Sequence, residues 1–197
     1  YLARLKDVAS QVTRRTKARK ILMASEKVLT PRDQGREQIT PILTDALHNT
    51  PDITGITRLD SQGVAFASVG DLIPAKLYKG NITDEVRLIG PTAISTKSFI
   101  VVIAPIQDRK EGRVGTDIVL FDLSCLSNIR MTAGEVQSSL FLQHDQNLKP
   151  FYPAHVKDDV PLPTDLSSDG MGTAVADDFY RVFVNVDSNV GWYLAGR

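Results

Sequence analysis

The stretch Ser98-Phe99-Ile100-Val101-Val102-Ile103-Ala104-Pro105-Ile106, with Gln107 to Gly112 after it and then Arg113-Val114-Gly115-Thr116-Asp117-Ile118-Val119-Leu120-Phe121, decides how the chain reads. Phe99, Ile100, Val101, Val102 and Ile103 are apolar without alternation, the pattern of a strand buried on both faces. Asp108-Arg109-Lys110-Glu111-Gly112 is a charged loop ending in glycine, and Arg113 to Phe121 reads as the return strand. A second hairpin lies upstream. Ile53 to Leu59 and Val64 to Val69 flank Asp60-Ser61-Gln62-Gly63, with aspartate first and glycine fourth, as a tight turn requires. Residues 70 to 97 read as a mixed connector broken by Pro74, Gly80, Gly90 and Pro91, with a short helix expected near Asp84 to Ile89.

The flanks complete the pattern. Residues 1 to 30 hold no proline or glycine and are rich in Ala, Leu, Lys and Arg. Leu2, Leu5, Val8, Ala9 and Val12 fall at helical spacing, and Ile21, Leu22, Val28 and Leu29 resume it. One helix of about 45 Å is predicted at 1.5 Å per residue. Thr30 and Pro31 end it, and a further helix covers 33 to 48 with Ile39, Ile42, Leu43, Ala46 and Leu47 on one face and Pro41 inside. Beyond Phe121, Asp122-Leu123-Ser124 opens a short helix to about Met131. Strands Ser138 to His144 and Leu148 to Tyr152, a loop over 153 to 172, and strands Phe179 to Val186 and Val190 to Ala195 follow. The predicted class is α+β with mostly antiparallel pairing.

The 197 residues are 42% hydrophobic and 23% charged, which excludes a wholly disordered chain. Lys plus Arg and Asp plus Glu number 23 each, so no overall charge draws the chain to nucleic acid or to anionic membrane. The charge is uneven, however. Residues 1 to 20 carry Arg4, Lys6, Arg14, Arg15, Lys17, Arg19 and Lys20 against Asp7 alone. Such a basic helix either binds phosphates or head groups or is a solvated face with long side chains lying over apolar neighbours. One cysteine, Cys125, excludes a disulfide framework, and no apolar run is long enough to span a bilayer. The chain starts at Tyr1 without a methionine and stops at Arg197 straight after a strand-like run, so an excised piece of a longer protein is expected.

Enzyme chemistry is not expected. His48, His144 and His155 share no metal-binding spacing, no Gly-x-Ser-x-Gly elbow exists, and Gly170-Met171-Gly172 lacks the lysine of a phosphate loop. Cys125 reads as a buried thiol in an apolar setting, and the acid pairs Asp158-Asp159 and Asp177-Asp178 lack the ligand series of a calcium loop. No metal and no cofactor are therefore expected.

Four stretches, in order, resemble extracytoplasmic sensor domains of the CACHE type, which are PAS-like. His48-Asn49-Thr50-Pro51-Asp52-Ile53-Thr54-Gly55-Ile56 resembles the family's passage from helix to first strand, and Asp60-Ser61-Gln62-Gly63 with Ser68 its first hairpin. Ala104-Pro105-Ile106 and Gly112-Arg113-Val114-Gly115-Thr116-Asp117-Ile118 resemble its central strand pair, and Val190-Gly191-Trp192-Tyr193-Leu194 its closing strand. The resemblance implies a long N-terminal helical segment over 1–50, a membrane-distal PAS-like sensor subdomain over 51–133 and a smaller membrane-proximal one over 134–197. It also implies a bacterial transmembrane receptor, with the chain as its periplasmic or extracellular part at the inner membrane. The output would be a histidine kinase of a two-component system, a cyclic-di-nucleotide enzyme or a chemoreceptor.

The expected ligand is a small molecule of the amino acid, amine or carboxylate class. Amino-acid-binding members carry a Trp-Tyr pair after a connector arginine; here Arg87 is followed by Leu88 and Ile89. Asp117 matches the family's acid and would meet an ammonium or hydroxyl group; otherwise it pairs with Arg113 or Lys110. Arg87 could clamp a carboxylate. Phe66, Ser68, Tyr78 and Ser98 are the remaining candidate lining residues, with core packing as the plainer reading. A homodimer through the N-terminal helix is expected because its apolar positions exceed what one sheet covers. The alternatives are a soluble protein-interaction or scaffold module without a small-molecule pocket, and a hydrolase with a catalytic pair in the 153 to 178 loop.

Overall fold

The computed structural model describes residues 2–80, 82–94, 97–123, 138–144, 147–152, 160–161, 171–176, 179–187 and 192–196. The chain is α+β and divides into two compact units, residues 3–125 and residues 126–197.

In the first unit, helices α1 (Leu2–Thr13), α2 (Thr16–Glu26) and α3 (Arg32–Asn49) precede the strands. The single rod expected over residues 1–30 is thus two helices, and the reason is local. Ser10 and Thr13 donate their hydroxyls back to the carbonyls of Lys6 and Ser10 at 2.8 and 2.7 Å, a habit that weakens the end of a helix. Arg15 then leaves helical geometry at ψ 97° and sends its guanidinium to α3, where it meets Ile42 O at 3.1 Å and Asp45 Oδ2 at 2.6 Å. Each helix buries a stripe at spacing three or four: Leu5, Ala9 and Val12; Ala18 and Leu22; Ile39, Leu43 and Ala46. Pro31 stands one residue before α3, where its fixed φ of −53° suits a helix entrance.

Five strands follow: β1 (Ile53–Leu59), β2 (Ala65–Gly70), β3 (Arg87–Ile94), β4 (Lys97–Asp108) and β5 (Gly112–Asp122). They form one antiparallel sheet in the order β2-β1-β5-β4-β3. The β1–β2 turn is built by Asp60. Its carboxylate accepts from the backbone N–H groups of Gln62 and Val64, and Gly63 supplies the positive φ of 78° that the turn needs. Phe99 to Ala104 is an unbroken buried run, as the lack of alternation predicts. The connector differs from expectation. Among its described residues it holds a 3₁₀ turn at Ala75–Leu77, and the helix expected near Asp84–Ile89 gives way to β3, whose register shifts between Ile89 and Thr92. The helix expected from Ser124 onward lies outside the described residues, while Asp122 closes β5.

The second unit is a six-stranded antiparallel sheet in the order β8-β7-β6-β11-β10-β9. Its strands are β6 (Ser138–His144), β7 (Asn147–Tyr152), β8 (Val160–Pro161), β9 (Met171–Ala176), β10 (Phe179–Asp187) and β11 (Trp192–Gly196). β8 and the start of β9 fall inside the stretch expected to be loop. Among the described residues no helix is long and apolar enough to cross a membrane.

Candidate functional site

Alternation along β1, β4 and β5 gives the first sheet two distinct faces. One lies against the helices. Gly115 shows how closely: a Cβ there would stand 2.7 Å from Leu22 Cδ2 of α2 and 2.6 Å from Leu59 O. Ile56, Arg58, Asp117, Val119 and Phe121 share this face by register with Gly115. The other face carries Leu59, Phe99, Val101, Ile103, Ile118 and Leu120, covered by Ile73 and Tyr78 from the connector. Leu77, Ile82, Ile89 and Ile94 pack around its edge.

The helix face holds a buried ion pair. Arg58 and Asp117 are opposite one another on β1 and β5, and neither side chain has any exposed surface. Arg58 Nε donates to Asp117 Oδ1 at 2.7 Å and Nη2 to Oδ2 at 2.6 Å, the two-pronged geometry that a guanidinium makes best. Both carboxylate oxygens are therefore taken. The partner is Arg58 rather than the expected Arg113 or Lys110; Arg113 instead reaches Asp84 at 3.3 Å. Phe66 lies on the same side, its ring beneath the Arg32 guanidinium at 5.1 Å and its carbonyl accepting from Arg36 Nε.

The connector face gathers a different set. Tyr78 is buried in its apolar cluster. Arg87, exposed at the start of β3, pairs with Ile103 and so shares that face. Ser68 pairs with Thr57, and their hydroxyls lie 3.1 Å apart. The structure therefore brings Tyr78, Arg87 and Ser68 to one side of the sheet and sets Asp117 and Phe66 on the other. Ser98 is exposed near the start of β4. Sequence reasoning missed two residues. Thr116 is fully buried on the connector face, opposite Leu59 and Pro105, and its hydroxyl has no hydrogen-bond partner among the described residues. Arg58 was also missed. Its signal was a charge inside an otherwise apolar strand, the mirror of Asp117 in β5. Among the described residues no three His, Cys, Asp or Glu side chains converge as a metal site.

Ser68 and Arg87 stand on the two outer strands of this face, about 19 Å apart at about 4.8 Å per strand, with Thr57, Thr116 and Tyr78 between them over the apolar cluster. The fold is similar to those of extracellular sensor domains of histidine kinases and chemoreceptors. The extracellular domain of a protein named as a histidine kinase, vpHK1S-Z8, superposes with a TM-score of 0.62 at 12% identity, covering 98% of this chain and 86% of that one. The ligand-binding domain of the Pseudomonas fluorescens chemoreceptor CtaA, solved with L-isoleucine, gives 0.59 at 16% identity over 99% of this chain and 83% of its own. The periplasmic sensory domain of the Campylobacter jejuni chemoreceptor Tlp1 gives 0.58 at 12%, over 100% and 90%. No protein-family model matches the sequence, and no curated relative matches it.

Proposed function

We propose that this chain is the ligand-sensing, extracytoplasmic domain of a bacterial membrane receptor and is itself not an enzyme. The single observation that carries the reading is the full-length match of its two-sheet fold to extracellular and periplasmic sensor domains of kinases and chemoreceptors. A fold alone hosts many activities, so the site must carry the rest. The connector face would supply it: Arg87 at the β3 edge for a carboxylate, Tyr78 and Thr116 for hydroxyl or ammonium groups, and an apolar floor for a side chain, with Ser68 too far across the sheet to join them. CtaA has been solved with L-serine, L-leucine and L-alanine as well as L-isoleucine, which supports a small amino acid, amine or carboxylate as the class to test first. Arg58 and Asp117 hold β1 to β5 beneath that face and position it.

The finer reading is a periplasmic domain anchored in the inner membrane, with residues 51–133 distal and 134–197 proximal, acting as a homodimer through its N-terminal helices. Ligand binding would favour one of two arrangements of those helices, and the difference in affinity between the two would set the shift.

The test is a thermal-shift screen of the 197-residue chain against amino acids, amines and carboxylates. A ligand at 100 times its Kd raises stability by about 2.7 kcal/mol, a readable change in Tm. A hit whose effect disappears in Arg87→Ala supports the connector face. A panel with no hit, together with capture of a folded protein partner, would establish the scaffold reading instead.

A further inference from the structure

We infer that the junction between α1 and α2 is a second binding site, built for a small monocarboxylate that carries a hydrogen-bond donor, such as a 2-hydroxy acid. A cavity of about 290 Å³ opens there, lined by Ser10 and Thr13 of α1, Arg14 at the break, Arg19 of α2, Asp84 before β3 and Gln107 of β4. At about 30 Å³ per water it has room for roughly ten waters, enough for a three- or four-carbon acid.

The charges select the occupant. Asp84 is matched by Arg113 at 3.3 Å, and Arg19 by Asp108 at 3.8 Å. Asp108 stays ionised because the backbone N–H of Lys110, then that of Glu111 and the Arg19 charge, hold its carboxyl below the usual range. One charge is left over. The Arg14 guanidinium makes no ion pair or side-chain hydrogen bond among the described residues. The site therefore carries one net positive charge, which a monoanion balances and a zwitterionic amino acid does not. Arg19 adds a second guanidinium, which reaches Gln107 O through Nη1 at 2.9 Å while its buried Nε has no hydrogen-bond partner. The hydroxyls refine the choice. Ser10 and Thr13 already donate to backbone carbonyls, so they can only accept. The carboxylate would lie on Arg14 and Arg19, and a hydroxyl on the next carbon would donate to Ser10 or Thr13. Val86 and Pro105, the strand partner of Thr116, complete the lining, and none of Arg87, Tyr78 and Ser68 takes part in it.

The experiment is calorimetric titration of the 197-residue chain with sodium L-lactate against sodium chloride at matched ionic strength, with pyruvate, which has no donor, alongside. Saturable lactate binding is expected, with pyruvate about tenfold weaker for the loss of one hydrogen bond. Arg14→Gln should weaken lactate about ten- to hundredfold. Ser10→Ala, which keeps a good helix former at that position, should weaken lactate toward pyruvate and leave pyruvate unchanged. Arg87→Ala should leave lactate binding intact. Absence of saturable lactate binding, equal affinity for pyruvate, an unaffected Arg14→Gln chain, or loss of binding in Arg87→Ala would each overturn the assignment.

Discussion

The two faces of the first sheet come from the same strands and differ by one residue of register. On the helix side Arg58 and Asp117 meet through both carboxylate oxygens under packed helices, with Arg58 Nη1 buried and without a hydrogen-bond partner among the described residues. On the connector side the polar groups are neutral or peripheral: the Thr116 hydroxyl is buried without a partner among the described residues, Arg87 is exposed and Tyr78 sits in an apolar cluster. A charge in the middle of a strand thus signals architecture when its cross-strand neighbour is the opposite charge. A neutral polar group such as Thr116, set opposite Leu59 and Pro105, has no such charge to meet across the strands. The contrast separates residues that adjacent sequence positions place side by side, Thr116 and Asp117 above all.

The largest effect expected from that contrast is on stability. Asp117→Ala leaves the Arg58 guanidinium buried and unpaired, which costs about 3–5 kcal/mol. Urea denaturation would show the midpoint collapse with m unchanged. Replacing both partners together, Arg58→Met with Asp117→Leu, should recover most of the loss, because the buried charges go as a pair. If Asp117→Ala folds as well as the parent, the distinction between the faces fails. Next comes Gly115→Ala, whose methyl would drive into Leu59 O and Leu22. Overpacking there is expected to cost about 1–3 kcal/mol, read by the same titration.

On the connector side the order reverses, with small changes in stability and large ones in response. Arg87→Ala should leave the free domain within about 0.5 kcal/mol of the parent, since the residue is exposed. Its ligand-induced rise in Tm should nonetheless vanish. The smallest effect concerns Asp45. Arg15 above all, with Asn49 and His48 adding to it, holds its carboxyl below 3.8. A carboxyl lowered on folding stabilises above its unfolded pKa and loses that contribution as pH falls through the folded value. Asp45→Asn should therefore lower Tm slightly and evenly between pH 5 and 8, within the acid-intact range of about pH 5–8. The difference from the parent should close below about pH 3.8.

Much of the first sheet was legible because its signals are local. The apolar run from Phe99, the glycine-ended loop at Asp108 to Gly112 and the Asp60-to-Gly63 turn each act within a few residues. β3 was hidden because Gly90-Pro91 interrupts it, and the strand resumes only after a register shift at Thr92. The break between α1 and α2 was hidden because neither glycine nor proline marks it. Its causes are two hydroxyls bonding backward and an arginine drawn to a helix 27 to 30 residues away. Which polar residues meet across the sheet was not legible. Arg58 lies 59 residues from Asp117, and only the register of β1 on β5 shows that they meet.

The break at Arg15 has a mechanical consequence. The Arg15 amide reaches back only to Val12 O at 3.4 Å, and its carbonyl begins the next ladder by accepting from Arg19. A shaft jointed in this way cannot pass a lengthwise stroke undiminished. A load applied along α1 would meet a joint in place of a continuous rod, and the bonds from Arg15 to Ile42 O and Asp45 would oppose its bending.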